Sequence, residues 1–145
     1  MKFWYRYRQA SKVKIAKDDG KVIIFANLCG KKKNMKILFV CSRNKRRSRT
    51  AENIFRNQQL FSAKSAGFSD KSPVKISEKL IVWADLILLM EHEHAKRLRQ
   101  VFSDVKLPKM AVLNIKDNYE FMDEQLVNIL KEKIQLYVET ASREL

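Results

Sequence analysis

The sequence predicts an α/β fold: a parallel sheet of four strands with helices on both faces, three layers in all. Two observations carry this expectation. From Met35 onward, short apolar runs alternate with stretches of helical periodicity, and the alternation repeats four times. The runs ILFV and LILLM are apolar at every position, as strands covered on both faces are. The chain of 145 residues suits one domain, possibly with an added segment, and is long enough to bury a core without disulfides or metals.

Taken in order, the first 34 residues stand apart. They mix aromatics with positive charge (FWYRYR), then offer a turn signal at Asp18-Asp19-Gly20 and a strand candidate over 21–26. The composition shifts at CGKKKN, residues 29–34. We therefore expect residues 1–34 to be a basic N-terminal extension or accessory arm, and residues 35–145 to be the folded domain. Lys36–Val40 reads as the first buried strand, and Ala51, Ile54 and Phe55 fall at helical spacing after it. Phe61–Gly67 reads as a second strand ending at a glycine. Leu80, Ile81 and Ala84 mark a short helix opened by Ser77. Asp85–Met90 is the third strand, and Ala95, Leu98, Val101 and Phe102 mark one face of the next helix. Met110–Ile115 is the fourth strand. Leu126, Ile129, Leu130, Ile134 and Tyr137 mark a long amphipathic helix, with Asp123 placed to cap it.

Charge and cysteine content narrow the function classes. The net charge is +14, and it is uneven: residues 1–34 carry ten Lys/Arg against two Asp, residues 35–145 twenty Lys/Arg against fourteen Asp/Glu. Such a surface favours anionic partners without choosing among nucleic acid, anionic lipid and phosphorylated substrate. Two cysteines are too few for a disulfide framework, so a reducing, cytoplasmic setting is expected. No stretch approaches the roughly 18 apolar residues of a membrane span, and VIIFANL at 22–28, preceded by mixed residues, does not read as a signal peptide.

The stretch VCSRNKRRSRTAE, residues 40–52, carries the chemistry. Cys41 follows a buried strand and precedes a helix. A loop there turns backbone N–H groups inward above a helix N-terminus, and both favour negative charge. The same setting favours the thiolate, the reactive form of cysteine. Arg47 can return across the loop and bind two phosphoryl oxygens in a bidentate fork. The loop has no glycine, so Asn44 is the residue best able to take a left-handed turn. A lone cysteine at a strand end is more often a small core residue; here Asn44, Arg47 and Ser48 accompany it. Arg43, Lys45, Arg46 and Arg49 have no spacing requirement. They read either as a solvated face or as attraction for a phosphorylated substrate.

C-S-R-N-K-R-R-S resembles the C-x-x-N-x-x-R-S signature of the low-molecular-weight protein tyrosine phosphatases, and the T-A-E that follows resembles the start of that family's first helix. Ser65-Ala66-Gly67 is similar to its S-A-G or S-A-A after the second strand. Ala84-Asp85-Leu86-Ile87-x-x-Met90 is similar to its A-D-x-I-x-x-M third strand. Asp117-Asn118-Tyr119 is similar to its D-P-Y acid loop, with Asn in place of Pro. The similarity spans residues 35 to about 137 and is nearest to a short bacterial branch. It implies a phosphatase-I-like sheet of order 2-1-3-4. It also implies Cys41 as nucleophile, Arg47 and the loop Ser42, Arg43, Asn44, Lys45, Arg46 and Ser48 as phosphate cradle, and Asp117 as general acid. Ser48 would hydrogen-bond the sulfur, Asn44 and Ser65 would brace the loop, and Tyr119 would line the substrate entrance; read without the resemblance, Asp117 also suits a plain turn residue and Tyr119 a core residue. No metal or cofactor is implied. The partners would be a phosphorylated protein or small phosphate ester, with inorganic phosphate as product. One departure concerns bracing: the family's insertion after the second strand carries a histidine bonded to the loop asparagine, whereas residues 68–83 are few and contain none.

Two other functions fit the same stretch. An arsenate reductase would use the same cradle but needs further thiols, and no cysteine follows Cys41; only Cys29, otherwise a bystander, remains. A binding module would hold phosphoprotein or nucleic acid without turnover, aided by the basic arm. His92 and His94, at a helix start, read as solvent-facing, with no third metal ligand near them in sequence. Trp83 and Phe102 read as core residues.

Overall fold

The computed structural model describes residues 3–5, 13–18, 21–26, 34–58 and 61–143. The chain divides into two units, Met1–Lys33 and Asn34–Leu145. In the first, β1 (Phe3–Tyr5), β2 (Val13–Asp18) and β3 (Lys21–Ala26) form an antiparallel sheet in that order. The pairing of β2 with β3 runs from Val13 opposite Ala26 to Asp18 opposite Lys21. Residues 21–26 are thus the strand expected from sequence, while β1 and β2 are additional. Cys29 and the turn residues Asp19 and Gly20 lie outside the described residues.

The second unit is built on β4 (Met35–Cys41), β5 (Phe61–Gly67), β6 (Leu86–Leu89) and β7 (Lys109–Val112). Every neighbouring pair is parallel, and the order is β5-β4-β6-β7, the expected 2-1-3-4. The helices α1 (Arg47–Phe55), α2 (Glu78–Trp83), α3 (His92–Val101) and α4 (Glu124–Arg143) alternate with the strands. The two-residue period of β4 sorts the core. Met35, Ile37, Phe39 and Cys41 face a cluster with Ala51 of α1 and Leu126, Leu130 and Ile134 of α4. Leu38 and Val40 face the opposite cluster, with Ile81 of α2 and Ala95 and Leu98 of α3. Trp83 and Phe102 pack, partly buried, against that second cluster.

The long amphipathic helix follows its sequence pattern. Leu126, Leu130 and Ile134 have no exposed surface, and the Asp123 carboxylate accepts the N–H groups of Gln125 (2.9 Å) and Leu126 (3.4 Å) as an N-cap. Two expectations are corrected. Val101 is 59% exposed rather than part of the apolar face of α3. At about 100° per residue, it lies roughly 120° around the helix from Ala95, whereas Leu98 and Phe102 stay within about 60° of it. The fourth strand is regular only to Val112, because Asn114 takes φ 54°. The ladder nevertheless continues irregularly: Leu113 and Ile115 donate to the carbonyls of Leu89 and Met90, each at 2.8 Å. All four strands end at one edge, where α/β folds bind their ligands.

Candidate active site

The loop 42–46 joins the end of β4 to the start of α1 at that edge. Its reversal depends on Asn44, which is buried and sits at φ 52°, the left-handed conformation that a short polar side chain tolerates. The end of β5 holds the loop from beside it. Phe68 and Ser69 donate their backbone N–H groups to the carbonyls of Cys41 (3.3 Å) and Ser42 (2.9 Å). Gly67 lets the loop pass this close: a Cβ there would stand 2.7 Å from the Asn44 nitrogen and 2.8 Å from the Arg43 carbonyl carbon.

Cys41 is buried, and its sulfur has two partners within the loop. The Asn44 backbone N–H donates to it at 3.2 Å, and the Ser48 hydroxyl lies 2.9 Å away. The Asn44 side-chain amide donates to the same Ser48 oxygen at 2.9 Å. Ser48 therefore accepts from Asn44 and has its own proton free to face the sulfur. Both hydrogen bonds suit a negatively charged sulfur, and they lie at the N-terminus of α1.

Arg47, 2% exposed, is held on three sides. Its Nη1 donates to the Glu91 carboxylate and to the Ile115 carbonyl oxygen, the latter at 2.6 Å, and its Nε lies 3.4 Å from Asp117 Oδ1. Asp117 is more than half exposed. Cys41, Ser42, Arg43, Lys45, Arg46, Arg47 and Asp117 line one pocket. The fold thus brings together the residues expected to carry nucleophile, cradle and acid. Arg46 also pairs with Glu120 at 3.1 Å, linking the cradle to the acid loop; Arg43 and Lys45 are exposed at the pocket, and exposed Arg49 lies over the Phe121 ring.

Ser65, expected to brace the loop, and Tyr119, expected either at the substrate entrance or in the core, make the following contacts. The buried Ser65 hydroxyl donates to Glu52, so it joins β5 to α1 rather than reaching the loop directly. Tyr119 is partly buried against the cluster beneath α1 and α4, and is not among the side chains lining the pocket.

Sequence reasoning missed Glu91 and misjudged His94. His92 is exposed as expected, but His94 is buried, 6% exposed, because the third residue of α3 turns toward the cradle. Its Nε2 lies 2.8 Å from Ser42 Oγ, and its Nδ1 accepts the Glu91 backbone N–H at 3.2 Å. The Glu91 side chain accepts the His94 backbone N–H in return, completing a capping box. Burial, with the Arg47 charge adding to it, holds the imidazole below its ordinary protonation range. Neither residue was legible from sequence, because Glu91-His92-Glu93-His94 does not fit the S/T-x-x-E/Q capping-box signature. Among the described residues, no group of three or more His, Cys, Asp or Glu could hold a metal ion, and no helix is long and apolar enough to cross a membrane.

No family model and no curated protein matches the chain. Solved structures do match. YwlE arginine phosphatase from Geobacillus stearothermophilus is 24% identical, with 76% of this chain and 94% of that one covered at a TM-score of 0.60. The tyrosine phosphatase Wzb from Escherichia coli K30, solved with phosphate, is 21% identical over 72% of this chain and 96% of its own, at 0.59. SP-PTP, a low molecular weight protein tyrosine phosphatase from Streptococcus pyogenes, is 18% identical over 73% and 92%, at 0.61. The chain thus has the fold of the low-molecular-weight protein tyrosine phosphatases, as its loop motifs led one to expect.

Proposed function

We propose that the protein is a phosphoric monoester hydrolase that works through a phosphocysteine at Cys41, with phosphotyrosine or a similar ester as substrate. One observation carries this: a buried cysteine sulfur, hydrogen-bonded within its own loop, opens into a pocket lined by Arg47 and Asp117. The Cys41 thiolate attacks phosphorus, and the bond from phosphorus to the ester oxygen breaks. Asp117 gives its proton to the departing oxygen. Water then attacks phosphorus and passes a proton to Asp117, the phosphorus–sulfur bond breaks, and phosphate leaves. Arg47, the loop amides and the cationic side chains of the cradle stabilise charge on the transferring group, so catalysis is mainly positioning and electrostatics. Glu91 and the Ile115 carbonyl hold Arg47 in place, and the Ser48 proton supports the sulfur as it departs in the second step. No cofactor enters, and a cytoplasmic setting suits a free thiol nucleophile.

The test is hydrolysis of an ester panel: an aryl phosphate, a phosphotyrosine peptide and, because one protein of this fold is named an arginine phosphatase, phosphoarginine. Cys41→Ser and Arg47→Ala are expected to lose orders of magnitude in kcat/KM. Unchanged rates in both, with folding intact, would refute the proposal. Arsenate-dependent consumption of added thiol would instead favour a reductase. Tight, salt-sensitive nucleic-acid binding without turnover would favour a binding module.

A further inference from the structure

His94 is tied to the cradle by a single partly buried hydrogen bond. Its Nδ1 accepts the Glu91 backbone N–H, so that nitrogen carries a lone pair and the ring proton resides on Nε2. Nε2–H then donates to Ser42 Oγ at 2.8 Å. A hydroxyl has one proton, and with its oxygen occupied as acceptor from this side, that proton must point elsewhere. Ser42 lies between two recesses: it lines the cradle with Cys41 and Arg47, and it lines a groove along α3 with Glu91 and His94. The ring occupies the groove side, which leaves the cradle side for the Ser42 proton.

We propose that His94 is a positioning residue whose Nε2–H turns the Ser42 hydroxyl into a fixed hydrogen-bond donor for a non-bridging phosphoryl oxygen. This inference rests on the phosphatase reading above. The surroundings keep the ring in the required form. Burial, then Arg47 of α1 and least Arg97 of α3, disfavour a second ring proton, while Glu91 and Asp117 favour one, and the net direction is toward the neutral ring. The Phe68 ring stacks on the imidazole, centroids 5.9 Å apart, and fixes its plane. A second ring proton would also set Nδ1–H against the Glu91 N–H, donor against donor. The same imidazole thus caps α3 and aims Ser42, and Glu91, its capping partner, holds Arg47. Loop and arginine are set by one helix end.

The ring is read first. Side-chain nitrogen shifts of the full chain near neutral pH, with His92→Gln to assign the two histidines, are expected to show Nε2 protonated and Nδ1 bare in His94. A proton on Nδ1 overturns the proposal, and this measurement needs no turnover. Inorganic phosphate binding is then measured by calorimetry for the full chain, Ser42→Ala, His94→Asn, His94→Gln and the Ser42→Ala/His94→Asn pair. Asparagine keeps an acceptor for the Glu91 N–H but cannot reach Ser42; glutamine places an N–H near the Nε2 position. Ser42→Ala and His94→Asn are each expected to weaken phosphate binding by about 10- to 100-fold, the range for a hydrogen bond to a charged group. His94→Gln should recover most of that loss, and the double variant should lose no more than the worse single, since both remove one bond. Normal binding by His94→Asn, or losses that multiply in the double variant, overturns the proposal. Ser42 is partly exposed, so Ser42→Ala tests the donor even if His94→Asn folds poorly. A full chain that neither binds phosphate nor cleaves an aryl phosphate would sink the phosphatase reading and this inference together; phosphate binding with the wrong tautomer sinks the inference alone.

Discussion

Gly67 shows how much of this site depends on close backbone approach. Its added Cβ in Gly67→Ala would collide with Ser72 Oγ and stand 2.7 Å from the Asn44 nitrogen and 2.8 Å from the Arg43 carbonyl carbon. The serine can rotate away, but the two backbone atoms belong to the loop and cannot move without it. Overpacking of this kind costs about 1–3 kcal/mol. A lower urea midpoint together with weaker phosphate binding is expected, and full retention of both would show that the loop yields. His94 also makes stability depend on pH. In the unfolded chain a histidine takes up a proton near pH ~6.5, while the folded ring does so only at lower pH. Between those two values the unfolded state binds more protons, so stability falls as pH drops through the window and is fully present above it. Urea midpoints taken between about pH 8 and pH 5 should therefore fall less steeply in His94→Asn than in the parent. At this scale the sequence was legible where partners are close along the chain. Cys41, Asn44, Arg47 and Ser48 lie within one loop and one helical turn, and their spacing alone brings them together. Glu91 and His94 reach the loop from 44 and 52 residues away, a juxtaposition that only the sheet order produces.

Elements whose burial follows a simple period were read well, and those shaped by neighbours less so. Helix α4 declares itself by Leu126, Leu130 and Ile134, and the structure buries all three completely. Leu130→Ala is accordingly expected to cost about 2–5 kcal/mol and Asp123→Ala about 1 kcal/mol, both read from urea unfolding; equal costs would mean that burial of Leu130 contributes no more than the cap. The fourth strand was overextended because Leu113 and Ile115 are apolar and buried, yet Asn114 between them leaves the extended conformation. The irregular end matters to the site: it places the Ile115 carbonyl against Arg47 and starts the loop that carries Asp117. The strands β1 and β2 escaped notice because FWY is too short for a period and VKIAKD mixes charge with apolar residues.

At the scale of the whole molecule the open quantity is charge. The net +14 divides into +8 on residues 1–34 and +6 on residues 35–145, so a salt-dependent rate could arise from either part. The pocket favours the second. Arg43 and Lys45 line it, are exposed, and make no ion pair among the described residues, whereas Arg46 is partly neutralised by Glu120. Charges at the mouth act on an incoming dianion within about one Debye length, roughly 10 Å at 0.1 M salt, where steering is strongest. The kcat/KM for an aryl phosphate should therefore fall as salt rises, and Arg43→Ala/Lys45→Ala should flatten that dependence with little change in unfolding midpoint. Removal of residues 1–34 should leave the slope nearly as it is and preserve a cooperative unfolding transition, because Asn34–Leu145 is a compact unit with two buried clusters of its own. If the truncation flattens the slope and the double substitution does not, the basic segment attracts substrate and the cations of the loop merely solvate its rim.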